Sequence, residues 1–174
     1  SKIKFHLNRL FYPFSYKDFK IQKIIKAFKY RFIKDLEIPL GRLMTSYLEK
    51  IKNKTDLNNL TVVPVPLYQR KFNERGYNQS ELIARKVAEY LNAEIITDCL
   101  LKTKSTKDQA SLKENERIGN LKNVFICLKP NLISGKNILL VDDVYTTGAT
   151  MTECAKVLKE AGAKEVTGLV IARG

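Results

Sequence analysis

Asn137-Ile138-Leu139-Leu140-Val141-Asp142-Asp143-Val144-Tyr145-Thr146-Thr147-Gly148-Ala149-Thr150-Met151 contains the strongest structural signal in the chain. Within 137–141, residues 138–141 form an uninterrupted apolar run, the pattern of a strand buried on both faces. Two carboxylates, Asp142 and Asp143, follow at its C-terminal end. Thr146–Thr150 is a turn of small and hydroxyl-bearing residues, and helical periodicity runs from Thr150 to Ala161, stopped by Gly162. In open α/β sheets, ligands bind at the C-terminal ends of strands. A turn that opens a helix offers free backbone N–H groups at the positive end of the helix dipole. The threonine hydroxyls add donors, and Gly148 lets the backbone close around an anion. The turn therefore suits a phosphate. The acids beside it suit ribose hydroxyls or a hydroxyl-bound Mg²⁺, and together they suit a ribose 5-phosphate.

Other phosphate loops do not match. There is no G-x-x-x-x-G-K-[ST] sequence, and no G-x-G-x-x-G follows a strand. A receiver-type acidic pair would not need a Thr-Thr-Gly-Ala-Thr turn directly after it.

Around this unit, short apolar runs alternate with helices. Thr61–Val65 reads as a buried strand, and Asn78 with Glu81 reads as a capping box opening a helix. Ile95–Lys102 contains a weaker strand, Val124–Ile126 a short one, and Val166–Ile171 the last. Thr103–Asn120 is polar and reads as a long mobile loop. The alternation predicts an α/β fold with an open, mostly parallel sheet flanked by helices. Before it, Ile21, Ile24, Ile25, Phe28 and Phe32 share one face of a helix over 17–34. Pro39 reads as a break, and a second helix carries Leu40, Leu43, Met44, Tyr47, Leu48 and Ile51. The expected division is a basic helical N-terminal region, a hood or lid, over 1–59, and a core over 60–174.

The net charge is +13. Residues 1–60 hold 14 Lys and Arg against 5 Asp and Glu, while 61–174 hold 17 against 13. The positive field therefore lies mainly on the N-terminal third, which reads equally as a surface that attracts polyanions or as a solvated lysine-rich face. Phe11, Tyr12, Phe14, Tyr16 and Phe19 interleave with those lysines. They could stack nucleic-acid bases, but an apolar lid packed on the core is the favoured reading. His6, the only histidine, falls in a segment expected to fray. Cys99, Cys127 and Cys154 have neither metal-ligand nor disulfide spacing and read as small buried residues in a reducing cytoplasm. No apolar run approaches the roughly 18–20 residues that span a membrane, and residues 1–15 lack the apolar stretch of a secretory leader.

The run 141–150 resembles the phosphoribosyl pyrophosphate loop of type I phosphoribosyltransferases. Three further elements narrow the resemblance to the ComF family, linked to DNA uptake in competent bacteria: Val63-Pro64-Val65-Pro66-Leu67; Arg75-Gly76-Tyr77-Asn78-Gln79-Ser80; and the spacing Gln109, Leu112, Arg117, Asn120. The ending Leu169–Arg173 also fits, and the resemblance covers residues 16–174, most closely after residue 60. It implies a protein that binds phosphoribosyl pyrophosphate and Mg²⁺. Thr146, Thr147, Gly148, Ala149 and Thr150 would hold the 5′-phosphate. Asp142 and Asp143 would be catalytic, facing the ribose hydroxyls and metal. The turn 66–68, with Leu67 and Tyr68, would approach the pyrophosphate. Arg75 could serve the pyrophosphate or a nucleic-acid phosphate. Lys102, Lys104, Gln109 and Arg117 would lie in or beside the loop that closes over substrate.

Three functions fit the resemblance: phosphoribosyl transfer to a nitrogen nucleophile, handling of single-stranded DNA with the ligand site retained, or docking to other competence proteins. The expected location is the cytoplasm, at most peripheral at the inner membrane. Family members commonly begin with a four-cysteine zinc module. This chain has no cysteine before Cys99, so no zinc is expected in it.

Overall fold

The computed structural model describes residues 6–104 and 124–174. The elements run β1 (Arg9–Phe11), β2 (Phe14–Ser15), α1 (Phe19–Tyr30), a 3₁₀ turn (Lys34–Leu36), α2 (Glu37–Ile51), β3 (Leu60–Pro64), α3 (Gln69–Arg75), α4 (Gln79–Leu91), β4 (Glu94–Ile95), β5 (Leu100–Lys102), β6 (Phe125–Cys127), α5 (Pro130–Ile133), β7 (Asn137–Tyr145), α6 (Ala149–Glu160) and β8 (Glu165–Arg173). A six-stranded sheet has the order β1-β8-β7-β3-β4, with β2 continuing beside β8. Every pairing in it is parallel. β5 and β6 form a separate antiparallel ribbon. The parallel sheet matches the expected architecture.

The longest strands lie at the centre because they are buried on both faces. Ile138, Leu139, Leu140 and Val141 of β7 are fully buried. Alternate residues face two cores. Ile138 and Leu140 pack with Met151, Cys154, Ala155 and Leu158 of α6. Leu139 and Val141 pack with Ile25 and Phe28 of α1, Leu40, Met44 and Leu48 of α2, and Ile83 and Val87 of α4. Residues on both sides of position 60 thus share one core. Pro64 closes β3 beyond the reach of β4, whose pairing covers Thr61 and Val62, so its missing N–H costs no ladder bond there.

Several local expectations change. The first 15 residues contribute two strands that the apolar pattern did not show. Asn8 donates its N–H to the Val166 carbonyl at 2.8 Å and accepts from the Val166 N–H through Oδ1 at 2.9 Å, which docks this segment on β8. Helix α1 is shorter than 17–34. Asp18 caps its start, accepting from the Lys20 and Ile21 N–H groups, and Phe32 turns away after its end at φ +55°. Pro39 does not break a helix. It is the third residue of α2, where a backbone N–H would lack an intrahelical partner anyway. The expected strand in 95–102 splits into β4 and β5, which belong to different sheets. Cys127 is half-buried, whereas Cys99 and Cys154 are buried as expected. The predicted loop 103–120 lies outside the described residues from position 105 onward.

Candidate phosphoribosyl site

β7 runs past its apolar stretch to Tyr145, so Asp142 and Asp143 are strand residues rather than loop residues. Asp143 is 3% exposed. Its Oδ1 lies 2.8 Å from Lys29 Nζ at the end of α1, and its Oδ2 accepts from Gln79 Nε2 at 3.1 Å. Asp142 Oδ1 accepts from Ser80 Oγ at 2.8 Å and from the Asp143 N–H at 2.8 Å. Among the described residues, Asp142 Oδ2 accepts no hydrogen bond.

Burial, then the neighbouring Asp143 charge, raise the Asp142 carboxyl to about 7, and Lys29 and Ser80 oppose the shift only in part. Burial alone would lower the Lys29 ammonium. Asp143 and Asp142 outweigh that effect and hold it above the ordinary lysine range. The two acids are therefore unlike. Asp143 is buried and engaged through both oxygens, whereas Asp142 holds its proton more tightly than an ordinary carboxyl and keeps one oxygen without a partner among the described residues.

The Arg75–Ser80 element builds this arrangement. Gly76 ends α3 in the left-handed region at φ +80° and donates its N–H to the Phe72 carbonyl. Tyr77 is buried and donates its hydroxyl to the Phe28 carbonyl at 2.5 Å, with the Phe28 and Tyr77 rings stacked 5.6 Å apart. Asn78 caps α4 by accepting from the Ser80 N–H, and its Nδ2 donates to the Val65 carbonyl at 3.0 Å. Glu81 does not close the expected capping box; it pairs with Arg85. Gln79 and Ser80 then reach the two acids from the first turn of α4. Gln79 Oε1 is buried and has no partner among the described residues.

The anion turn sits directly after β7. Gly148 is buried at φ +76° and precedes α6. The conformation favours glycine, and a Cβ there would fall 2.1 Å from Tyr145 Oη, so any larger residue would also displace that ring. Thr147 Oγ1 lies 3.4 Å from the Ala149 N–H it accepts from. Thr146 is exposed, while Thr147, Ala149 and Thr150 are half-buried. The first-turn N–H groups of α6 have no carbonyl four residues back to bond, which suits an anion.

Leu67 and Tyr68 lie half-buried between β3 and α3, beside β7 because the Val65 N–H bonds the Val141 carbonyl. Arg75 ends α3, its guanidinium over the Tyr30 ring at 5.9 Å. Lys102 lies on the β5–β6 ribbon with its ammonium over Phe125, and Lys104 is exposed. Gln109 and Arg117 are outside the described residues.

The donor set fits a Mg²⁺ that arrives with its ligand. Mg²⁺ commonly takes one or two protein carboxylates and completes its shell with phosphate oxygens and water. Asp142 Oδ2 would supply one such oxygen, and Gln79 Oε1, which has no partner among the described residues, would add a buried acceptor near the acid pair. No cluster of three or more His, Cys, Asp or Glu able to cage a metal occurs among the described residues.

Residues 76–174 match the phosphoribosyl transferase domain family. Competence protein F of Haemophilus influenzae is 31% identical over 152 residues, covering 86% of this chain and 66% of that protein. Competence protein ComFC of Streptococcus pneumoniae is 33% identical over 157 residues, covering 89% and 66%. DNA utilization protein YhgH of Escherichia coli K12 is 37% identical over 105 residues, covering 60% and 45%. The chain thus spans about half to two thirds of these relatives. With the parallel sheet and the acid pair leading into the anion turn, these matches establish that the chain belongs to the phosphoribosyltransferase domain family, as a phosphoribosyltransferase-like member of the ComF group.

Proposed function

We propose that the chain binds phosphoribosyl pyrophosphate with Mg²⁺ at the end of β7 and transfers the phosphoribosyl group to a nitrogen nucleophile. The observation that carries this reading is the union of Asp142, whose Oδ2 has no partner among the described residues, with the Gly148 turn that opens α6. In this reading residues 146–150 hold the 5′-phosphate through backbone N–H groups and threonine hydroxyls. Asp142 faces the ribose hydroxyls and the metal. The turn at Leu67 and Tyr68, with Arg75, borders the pyrophosphate. Departure of pyrophosphate leaves oxocarbenium character on the ribose. When bound, Mg²⁺ supplies charge neutralisation to that leaving group.

Calorimetry with phosphoribosyl pyrophosphate, with and without Mg²⁺, tests the binding step. Mg²⁺-dependent heat is expected, and its loss in Thr147→Trp, whose side chain would fill the turn. No heat and no thermal shift for the unmodified protein would overturn the reading. Product analysis with a panel of nucleobases tests transfer.

The second reading is non-catalytic handling of single-stranded DNA. The relatives' names point to competence and DNA utilization. Lys20, Lys23 and Lys26 of α1 are exposed, beside an exposed Phe19.

A further inference from the structure

Lys29 was not singled out by the sequence, where it is one of several lysines spaced along an amphipathic helix. Lys20, Lys23 and Lys26 are exposed, but the Lys29 ammonium turns inward to Asp143 at 2.8 Å, with side-chain exposures of 24% and 5%. Drawing two such charges together away from water is unfavourable unless close geometry and further hydrogen bonds offset it. The surrounding structure holds that geometry. The residue before Lys29, Phe28, is fully buried, stacks on Tyr77 and accepts the Tyr77 hydroxyl through its carbonyl. Three residues after Lys29, Phe32 adopts φ +55°, a conformation disfavoured for a bulky side chain, and α1 has ended. Gln79, from the same element as Tyr77, takes the other oxygen of Asp143.

We propose that Lys29 is a positioning residue of the phosphoribosyl site: it is an internal cation that locks Asp143 as a structural anchor and leaves Asp142 as the one acid presented to the ligand. This rests on the binding reading above and goes beyond it in dividing the roles of the two acids. It has an electrostatic consequence. With Lys29 in place the charge of Asp143 is matched inside the protein, so Asp142 is the acid left to face a polyanionic ligand and its Mg²⁺. Without Lys29 the uncompensated Asp143 would repel the pyrophosphate and compete for the metal.

The test is a double-mutant cycle on Lys29→Met, Asp143→Asn and the combined variant. It is read as Kd for phosphoribosyl pyrophosphate, as the Mg²⁺ concentration giving half-maximal binding, and as Tm. Lys29→Met should weaken binding by at least about tenfold and raise the Mg²⁺ requirement, because one partner of a buried pair is removed. Adding Asp143→Asn should bring Kd back to within about threefold of the unmodified protein, because no buried charge is then left unpaired. A purely structural role predicts instead that Kd follows Tm and that the Mg²⁺ requirement does not move. If Lys29→Met does not fold, Lys29→Gln keeps a donor at the site without the charge, and the same two binding readouts apply. Unchanged Kd and Mg²⁺ dependence in the folded Lys29 variant overturns the proposal. So does a combined variant as weak as Lys29→Met, which would mean that Asp143 itself contacts the ligand. Failure of the unmodified protein to bind overturns the functional reading as a whole, and that outcome is separate from silent variants of a protein that binds.

Discussion

Asp142 holds a carboxyl raised to about 7 against an ordinary 3.8, from burial first and then from Asp143. The folded protein therefore keeps a proton there that the unfolded chain has already lost between about pH 4 and 7. Stability should fall as pH rises through that window and level off above it. Asp142→Asn should remove most of this contribution and leave the protein about 1–3 kcal/mol more stable at pH 8. Thermal melts of both proteins at pH 5 and pH 8 check it, and a larger gain at pH 5 than at pH 8 would reverse the assignment. Gly148 gives a second expectation, because two physical demands coincide on one atom. Gly148→Ala puts a Cβ at φ +76° and 2.1 Å from Tyr145 Oη. It should destabilise by more than about 1 kcal/mol and weaken phosphoribosyl pyrophosphate binding. Adding Tyr145→Ala should recover the steric part and leave the conformational part, which chemical denaturation of the two variants would separate.

At the scale of elements, the segment 75–80 distributes four side chains to four destinations. Tyr77 reaches α1, Asn78 reaches the end of β3, Gln79 reaches Asp143 and Ser80 reaches Asp142. The segment was recognisable in the sequence by resemblance, but its work was not. The resemblance leaves Arg75 open between pyrophosphate and a nucleic-acid phosphate, and it does not place Gln79 and Ser80 among the site residues. Their signal was faint because uncharged polar residues in the first turn of a helix usually serve as caps. Tyr77→Phe should cost about 1–2 kcal/mol, since it strips a hydrogen bond from the buried Phe28 carbonyl. The midpoint of urea unfolding would show this, with the m-value unchanged. An effect near zero would mean that solvent replaces the hydroxyl and that the end of α1 is less firmly held.

At the scale of the whole molecule, most of the excess positive charge is carried by the N-terminal third. The structure divides the aromatics of that region. Phe11, Phe14 and Tyr16 pack against the core, while Tyr12 and Phe19 remain exposed. Lys23 lies over the Phe19 ring at 4.3 Å, so a cationic and aromatic surface survives on α1. If this surface holds single-stranded DNA, the log of the binding constant should fall against log salt with a slope near −0.7 per phosphate contacted. Sequence preference should be weak, because stacking reads no base edges. Lys23→Glu with Lys26→Glu should flatten that slope and leave phosphoribosyl pyrophosphate binding unchanged. Anisotropy titrations at two salt concentrations check both, and silent charge reversals would remove the DNA reading from this face. No helix among the described residues is long and apolar enough to cross a membrane.

The sequence by itself determined the central strand, the acid pair and the turn into α6, because these are contiguous and their chemistry is local. An apolar strand that ends at Val141 and a glycine-threonine turn leave signatures that need no partner to be read, although only the structure shows the strand continuing to Tyr145. It also determined the alternation that makes the sheet parallel. Only the tertiary structure decided which acid is free. Asp142 and Asp143 are identical in type and adjacent, and what separates them is contact with Lys29, Gln79 and Ser80, brought in from other elements. Only the tertiary structure found β1 and β2, since strands of three and two residues carry too little periodicity to be seen and are held by the length of β8 beside them. Lys29 escaped for the same reason: a lysine in an amphipathic helix reads as solvated until its buried counter-charge is known, and that partner lies far along the chain.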